Sequence, residues 1–175
     1  MLHDLTLPVR LSARSGSVVV RNAVDSDLDA LMALLSDDPI SAARGDVAAP
    51  EDRPQYAAAL RSITDDPSNA LLVAEVETGR LVGTLQLTRI PGMARRGSTR
   101  LLVEAVRVSS ALRSGGIGSA LMRWVTDVAA PELGTPLVQL TSDAARTDAH
   151  RFYERLGFTA SHVGFKYRVP GVGAR

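Results

Sequence analysis

The stretch Glu104-Ala-Val106-Arg-Val108-Ser-Ser-Ala-Leu-Arg113-Ser114-Gly115-Gly116-Ile117-Gly118-Ser119-Ala-Leu121 decides the reading of this 175-residue chain. Its first residues, through Val108, end a strand that begins at Thr99. Its second half opens on three glycines and then turns apolar at helical spacing, with Ala120, Leu121, Trp124, Val125 and Val128 on one side. A strand therefore runs into a glycine-rich turn, and the turn opens a helix. Glycines let the backbone come close to a ligand, and the first-turn N–H groups of the helix face outward. With the helix dipole they form an anion site suited to a pyrophosphate. Arg113 and Ser114 add charge and a hydroxyl at its edge.

The elements on either side give the fold class. Residues 1–16 read as a loosely held leader. Ser17 to Ala23 is a first strand, and Asp25 or Ser26 caps a helix carrying Leu28, Leu31, Met32 and Leu35. Ser36 to Pro54, with three prolines and five acids, reads as a long, mobile, acidic loop. A second helix runs from about Pro54 to Thr64. Ala70–Val76 and Leu81–Leu87 form a hairpin across Glu77-Thr78-Gly79-Arg80. Ile90 to Gly97 is a loop, and Thr99 to Val108 is the strand that enters the glycine turn. The helix Ser119–Ala129, the strand Pro136–Thr141 and the helix Thr147–Leu156 follow. Gly157 ends that last helix, and Phe158–Val169 supplies closing strands. The expectation is one α/β (mixed α+β) domain over residues 17–170, with a mostly antiparallel central sheet flanked by helices on both faces. Residues 171–175 form a C-terminal tail.

Composition removes several function classes. Twenty Lys plus Arg against nineteen Asp plus Glu leave a formal charge of +1, without the basic excess that phosphate neutralisation demands, so no nucleic-acid partner is expected. The chain has no cysteine, which excludes disulfides, thiolate nucleophiles and Cys-ligated metal. His3, His150 and His162 are scattered, so no metal is expected. No apolar run approaches the roughly 20 residues of a membrane span, and Met1 to Gly16 lacks a signal peptide's unbroken apolar core. A cytoplasmic location without a membrane partner follows.

The glycine turn is neither a Walker A loop, since no Gly-Lys-Ser/Thr follows, nor a dinucleotide fingerprint, since Leu121 holds the third glycine's place. What remains, Arg113-x-x-Gly116-x-Gly118 after a strand, also suits a plain strand-to-helix turn. It resembles the Gln/Arg-x-x-Gly-x-Gly/Ala signature of the GNAT superfamily, the acyl-CoA-dependent N-acyltransferases. A second stretch, Arg146-Thr-Asp-Ala149-His150-Arg-Phe152-Tyr153-Glu-Arg-Leu-Gly157-Phe158, resembles that superfamily's Asn-x-x-Ala-x-x-Phe-Tyr-x-x-x-Gly-Phe. The resemblance covers roughly Val18 to Val169. Arg146 stands where relatives often carry the Asn that meets the CoA chain.

The resemblance implies an N-acetyltransferase in which an amine attacks the thioester of acetyl-CoA within a ternary complex. The co-substrate would be held by the backbone of Val106 and Val108 and by Arg113, Ser114, Gly115, Gly116, Ile117, Gly118 and Ser119. Glu104 is the candidate base: simple alternation places it with Leu102, Val106 and Val108 on one apolar face, where partial desolvation would raise its pKa. It would equally serve as the partner of a nearby arginine. Tyr153 is the candidate acid for the leaving thiolate, and its ring also has a packing use against Phe158 beyond Gly157. His150, one helical turn earlier, reads as an exposed helix residue. The acceptor is an unidentified amine. A catalytically idle acyl-CoA-binding regulatory module is the alternative, and family habit leaves a homodimer open.

Overall fold

The computed structural model describes residues 1–170, which fall into two units, Met1–Leu140 and a second from Thr141 onward. The first unit is built on a six-stranded sheet of β1 (Val9–Ala13), β2 (Gly16–Asn22), β3 (Asn69–Glu75), β4 (Leu81–Ile90), β5 (Arg100–Val108) and β6 (Leu137–Leu140). Strand order follows sequence order, β1 to β6. The first five strands pair antiparallel, and β6 alone runs parallel to its neighbour β5. A parallel pair needs a crossover, which the helical run between β5 and β6 provides. This is the mixed, mostly antiparallel sheet the sequence implies.

Helices α1 (Leu28–Ser36), α2 (Pro39–Ala42) and α3 (Arg53–Thr64) lie between β2 and β3, and α4 (Ala94–Gly97) is a short turn before β5. Helix α5 (Ile117–Trp124) continues through a π-helical turn, Val125–Ala129, into α6 (Ala130–Glu132). In the widened turn the Ala130 N–H reaches back five residues to the Val125 carbonyl. Pro131, which lacks an N–H and crowds the preceding turn, follows immediately.

Period-two alternation assigns the two sheet faces. Val73 of β3 joins Leu28, Leu31 and Met32 of α1 and Leu60 of α3 in one buried cluster. Gly83, adjacent in β4 to Val73's partner Thr84, faces the other way, and a Cβ there would meet Leu121 of α5 at 3.5 Å. Leu85, Leu87 and Val103 share that second face and are buried, as are Leu121, Met122 and Val125. Burying each such side chain contributes about 1.5–3 kcal/mol. Helices thus cover both faces of the sheet.

Four sequence expectations need correction. Residues 1–16 do not hang loose: Leu2 and Leu5 are buried, and β1 pairs with β2 from Val9↔Val20 to Ala13↔Gly16. The apolar residues of this segment have a sheet edge to join. The acidic stretch after α1 is likewise ordered locally. Asp38 caps α2 by accepting from the Ser41 N–H at 2.9 Å, and Tyr56 Oη donates to Asp46 at 2.6 Å. Burial, then the neighbouring carboxylate, pushes the Tyr56 phenol up to about 12.

The acid that organises the entry to α1 is Asp27 rather than Asp25 or Ser26. Its carboxylate accepts from the Val24 N–H at 2.9 Å and from both Nη atoms of Arg21 at 2.7 and 2.9 Å. The guanidinium holds that carboxyl below the usual aspartate range. Lastly, Phe158–Val169 forms no strand: the chain beyond the Schellman-type end of the last helix has no regular structure among the described residues. Among the described residues the second unit contains one helix, α7 (Thr147–Arg155). The C-terminal tail, residues 171–175, lies outside the described residues.

Candidate active site

Strand β5 changes character halfway along. Gln86 of β4 pairs with Glu104, but Thr84, two residues earlier, pairs with Arg107. Two residues of β4 therefore span three of β5, which is a β-bulge. The extra residue lies at Ala105, whose φ of +50° falls in the left-handed region that alanine rarely adopts. On the other side of β5 the ladder to β6 ends at Val103↔Leu140, while β5 runs on to Val108. From Glu104 to Val108 the strand's outer edge extends past its neighbour.

The bulge overturns the simple alternation. With one residue inserted, Glu104 shares its face with Leu102 and Arg107, while Val108 falls on the face of Leu101 and Val103. Glu104 is also exposed, not set in a desolvating apolar stripe. Val106 and Val108 are half-buried, and the Val106 carbonyl accepts from Arg107 Nη1 at 2.8 Å. Another nitrogen of the same guanidinium, Nη2, donates to Ser41 of α2 at 2.6 Å.

After β5, a one-turn helix Ser110–Leu112 leads into the glycine turn. The end of α1 holds this corner. Asp37 accepts from the Ser110 N–H, a bond that lowers its carboxyl pKa. Arg113 Nη2 donates to the Asp37 carbonyl at 3.0 Å. A shallow cavity of about 540 Å³ opens beside it, lined by Ala33, Asp37, Leu81, Ser109 and Ser110 among others. Ser114 takes φ +63°, and Gly116 caps α5 at φ +89°. Ile117, Gly118 and Ser119 then form the first turn of that helix, whose N–H groups have no carbonyl within the helix to bond. Ile117 itself is buried and fixes the helix on the sheet.

Sequence reasoning misses what lies over this turn. The β1–β2 hairpin brings Arg14 and Ser15 against it: Ser15 N–H donates to the Gly115 carbonyl at 2.9 Å, and Arg14 Nη2 to the Ser114 carbonyl at 2.7 Å. A Cβ on Gly115 would come within 2.5 Å of Ser15 Oγ, and one on Gly116 within 3.1 Å of the Arg14 nitrogen. Part of the glycines' close approach is therefore to the chain's own hairpin. The local signal for it is Gly16 with Arg14 before it, inside the segment that reads as a leader.

In the second unit, Tyr153 is half-buried on α7. Its ring meets Phe152 edge-on at 5.1 Å and Phe158 at 5.9 Å. The Phe158 N–H bonds the Tyr153 carbonyl, the Gly157 N–H bonds that of Glu154, and Gly157 takes φ +90°. That is a Schellman ending, and it seats Phe158 against Tyr153 as the glycine position implies. His150 is not an exposed residue: it is half-buried, with Nε2 2.8 Å from the Asp143 carbonyl. Asp143 also accepts from the Ala145 N–H, and its carbonyl accepts from the Arg146 N–H. Arg146 is the N-cap residue of α7.

Among the described residues no helix is long and apolar enough to cross a membrane. The profile of the acetyltransferase (GNAT) family matches residues 28–158. A crystal structure described as a transcriptional regulator from Bacillus halodurans is 40% identical, with a TM-score of 0.79, over 87% of this chain and 99% of that one. An acetyltransferase of Trypanosoma brucei is 25% identical, with a TM-score of 0.68, over 87% and 99%. The aminoalkylphosphonate N-acetyltransferase of Salmonella typhimurium is 36% identical over 63 residues, which span 36% of this chain and 40% of that relative. With the bulged strand, the glycine turn and the Schellman-capped aromatic helix in place, the conclusion is that this chain belongs to the acetyltransferase (GNAT) family of acyltransferases.

Proposed function

We propose that the protein transfers an acetyl group from acetyl-CoA to a primary amine by direct attack in a ternary complex. The observation that carries this reading is the course of β5: it leaves the β6 ladder at Val103, bulges at Ala105 and ends in a turn capped by left-handed Gly116. A strand edge free of its neighbour offers N–H and C=O groups to an extended amide chain such as pantetheine, in the manner of an added strand. In this reading Val106 and Val108 hold that chain and direct an N–H at the thioester oxygen. The turn from Arg113 to Ser119 receives the pyrophosphate.

The steps balance as a simple acyl exchange. Glu104 takes a proton from the incoming ammonium, directly or through a water, which its exposure permits. The amine forms a C–N bond to the thioester carbon, and the C–S bond breaks with its electron pair leaving on sulfur. Tyr153 donates its phenolic proton to that thiolate, and the second proton shed by the nitrogen as it becomes an amide restores the phenol. A Glu104→Gln variant should bind acetyl-CoA normally and lose about 10²–10⁴-fold in kcat. Unchanged turnover would remove Glu104 from the mechanism.

A thermal shift with acetyl-CoA, CoA, ATP and NAD in parallel tests the ligand assignment. At 100 times its Kd a ligand stabilises the fold by about 2.7 kcal/mol, a visible rise in Tm. Shifts with acetyl-CoA and CoA alone are expected, followed by amine-dependent thiol release. No shift with either would overturn the proposal. A second reading, an acyl-CoA-binding regulatory module, draws on the relative described as a transcriptional regulator. It predicts the same shifts without thiol release for any amine.

A further inference from the structure

Three neighbouring strands bring polar side chains to one sheet face beside the bulge. Gln86 of β4 stands opposite Glu104 of β5, Ile90 stands opposite Arg100, and Thr88 stands between Leu102 of β5 and Asn69 of β3. Alternation puts them all on the face of Val73 and its partner Thr84, the face that α1 and α3 cover farther along. On the opposite face Leu85, Leu87, Leu101 and Val103 are buried. On this one Asn69, Gln86, Thr88 and Arg100 are only half-buried, so a ligand can reach them.

A relay of hydrogen bonds sets which way the polar groups point. The Asp66 carboxylate only accepts, so Asn69 turns its Nδ2 to it and donates at 2.8 Å. Asn69 Oδ1 then faces β4, where it accepts from Thr88 Oγ1 at 2.6 Å and from Gln86 Nε2 at 3.1 Å. With its nitrogen committed to β3, Gln86 keeps Oε1 as the amide atom without a partner among the described residues. Residues directly opposite in a ladder have Cβ atoms about 4.5–5.5 Å apart, so this oxygen and the Glu104 carboxylate stand side by side. Two neighbouring acceptors suit an ammonium, which carries three N–H donors.

Arg100 stands at the other end of the same face, four residues before Glu104, which is about 13–14 Å along a strand. Its guanidinium makes no hydrogen bond or ion pair among the described residues, and the chain from Thr78 to Val103 holds no acid to offer it one locally. The face is therefore polarised along β5, with acceptors at one end and a cation at the other. We infer that it seats an amine that also carries a carboxylate, the ammonium on Glu104 and Gln86 Oε1 and the carboxylate on the fork of Arg100. The inference rests on the acyl-transfer reading and adds the class of acceptor to it. A planar guanidinium meets a carboxylate through two parallel hydrogen bonds, and its single charge matches. Three extended residues span about 10 Å, enough to bridge the two ends once the long arginine leans inward.

Thiol release from acetyl-CoA with triglycine, triglycinamide and hexamethylenediamine as acceptors tests this. Triglycine alone carries the carboxylate, and its kcat/KM is expected to exceed the other two by about 10–100-fold. Arg100→Gln should bring triglycine down to the level of triglycinamide, chiefly through KM, and Arg100→Lys should keep part of the preference. Equal kcat/KM for triglycine and its amide in the wild type would overturn the inference without recourse to any variant, and so would a preference for the diamine. An Arg100→Gln protein that retains the preference would overturn it as well. Release without a charge preference leaves acyl transfer standing and removes only the acceptor class. No release with any amine overturns the acyl-transfer reading, and the inference falls with it.

Discussion

Replacing Gly116 with glutamate is expected to raise the acetyl-CoA KM by about 100-fold or more and to erase its thermal shift. Three effects converge at this position. The left-handed backbone, at φ +89°, costs a side chain about 1–2 kcal/mol. A Cβ would stand 3.1 Å from the Arg14 nitrogen, so the hairpin above must give way. The new carboxylate then sets a negative charge where the helix N-terminus would receive a phosphate. Gly116→Ala carries the strain without the charge and serves as the control. A 100-fold difference in affinity corresponds to about 2.8 kcal/mol. If the glutamate variant binds acetyl-CoA as tightly as the alanine variant, no anion is held at this turn.

The second large effect is expected at Tyr153. Tyr153→Phe keeps the edge-on contacts to Phe152 and Phe158, so the helix ending should persist. The phenolic hydroxyl, with its proton, is what the substitution removes. A general acid contributes about 10²–10⁴-fold, so kcat should fall by that factor while the acetyl-CoA KM changes little. The fall should also depend on the leaving group, because a thiol of lower pKa needs less protonation. An undiminished kcat would leave Tyr153 as a packing residue only. A parallel loss of stability and activity would point the same way, since packing would then explain both.

What can be read from the sequence divides along the range of the interactions involved. Gly116 and Gly157 are legible because each obeys a local rule: a left-handed backbone at a helix boundary, beside an apolar partner a few residues away. The amphipathic runs of α1, α3, α5 and α7 are legible for the same reason. The bulge at Ala105 is not, because no glycine or proline marks it and the extra residue is visible only against the register of β4. That single residue reverses the face assigned to Val106 and Val108 relative to Glu104. Strand β1 is hidden because its pairing partner, not its own composition, makes Val9–Ala13 a strand. Phe158–Val169 shows the converse: its alternation suits a strand, yet it forms none among the described residues.

The seat of Arg14 and Ser15 on the glycine turn also bears on the order in which the molecule is assembled. The bond from Arg14 to Ser114 joins positions 100 residues apart. As the chain emerges from the ribosome, the β1–β2 hairpin precedes its partner, which appears only after most of the sheet has been made. Loop closure grows costly only slowly with length, by about 0.6 kcal/mol per doubling, so the contact forms readily once the intervening strands have shortened the path. Contacts of such sequence separation slow folding. The turn proposed to receive the co-substrate therefore acquires its final shape late, when the first and the middle parts of the chain meet.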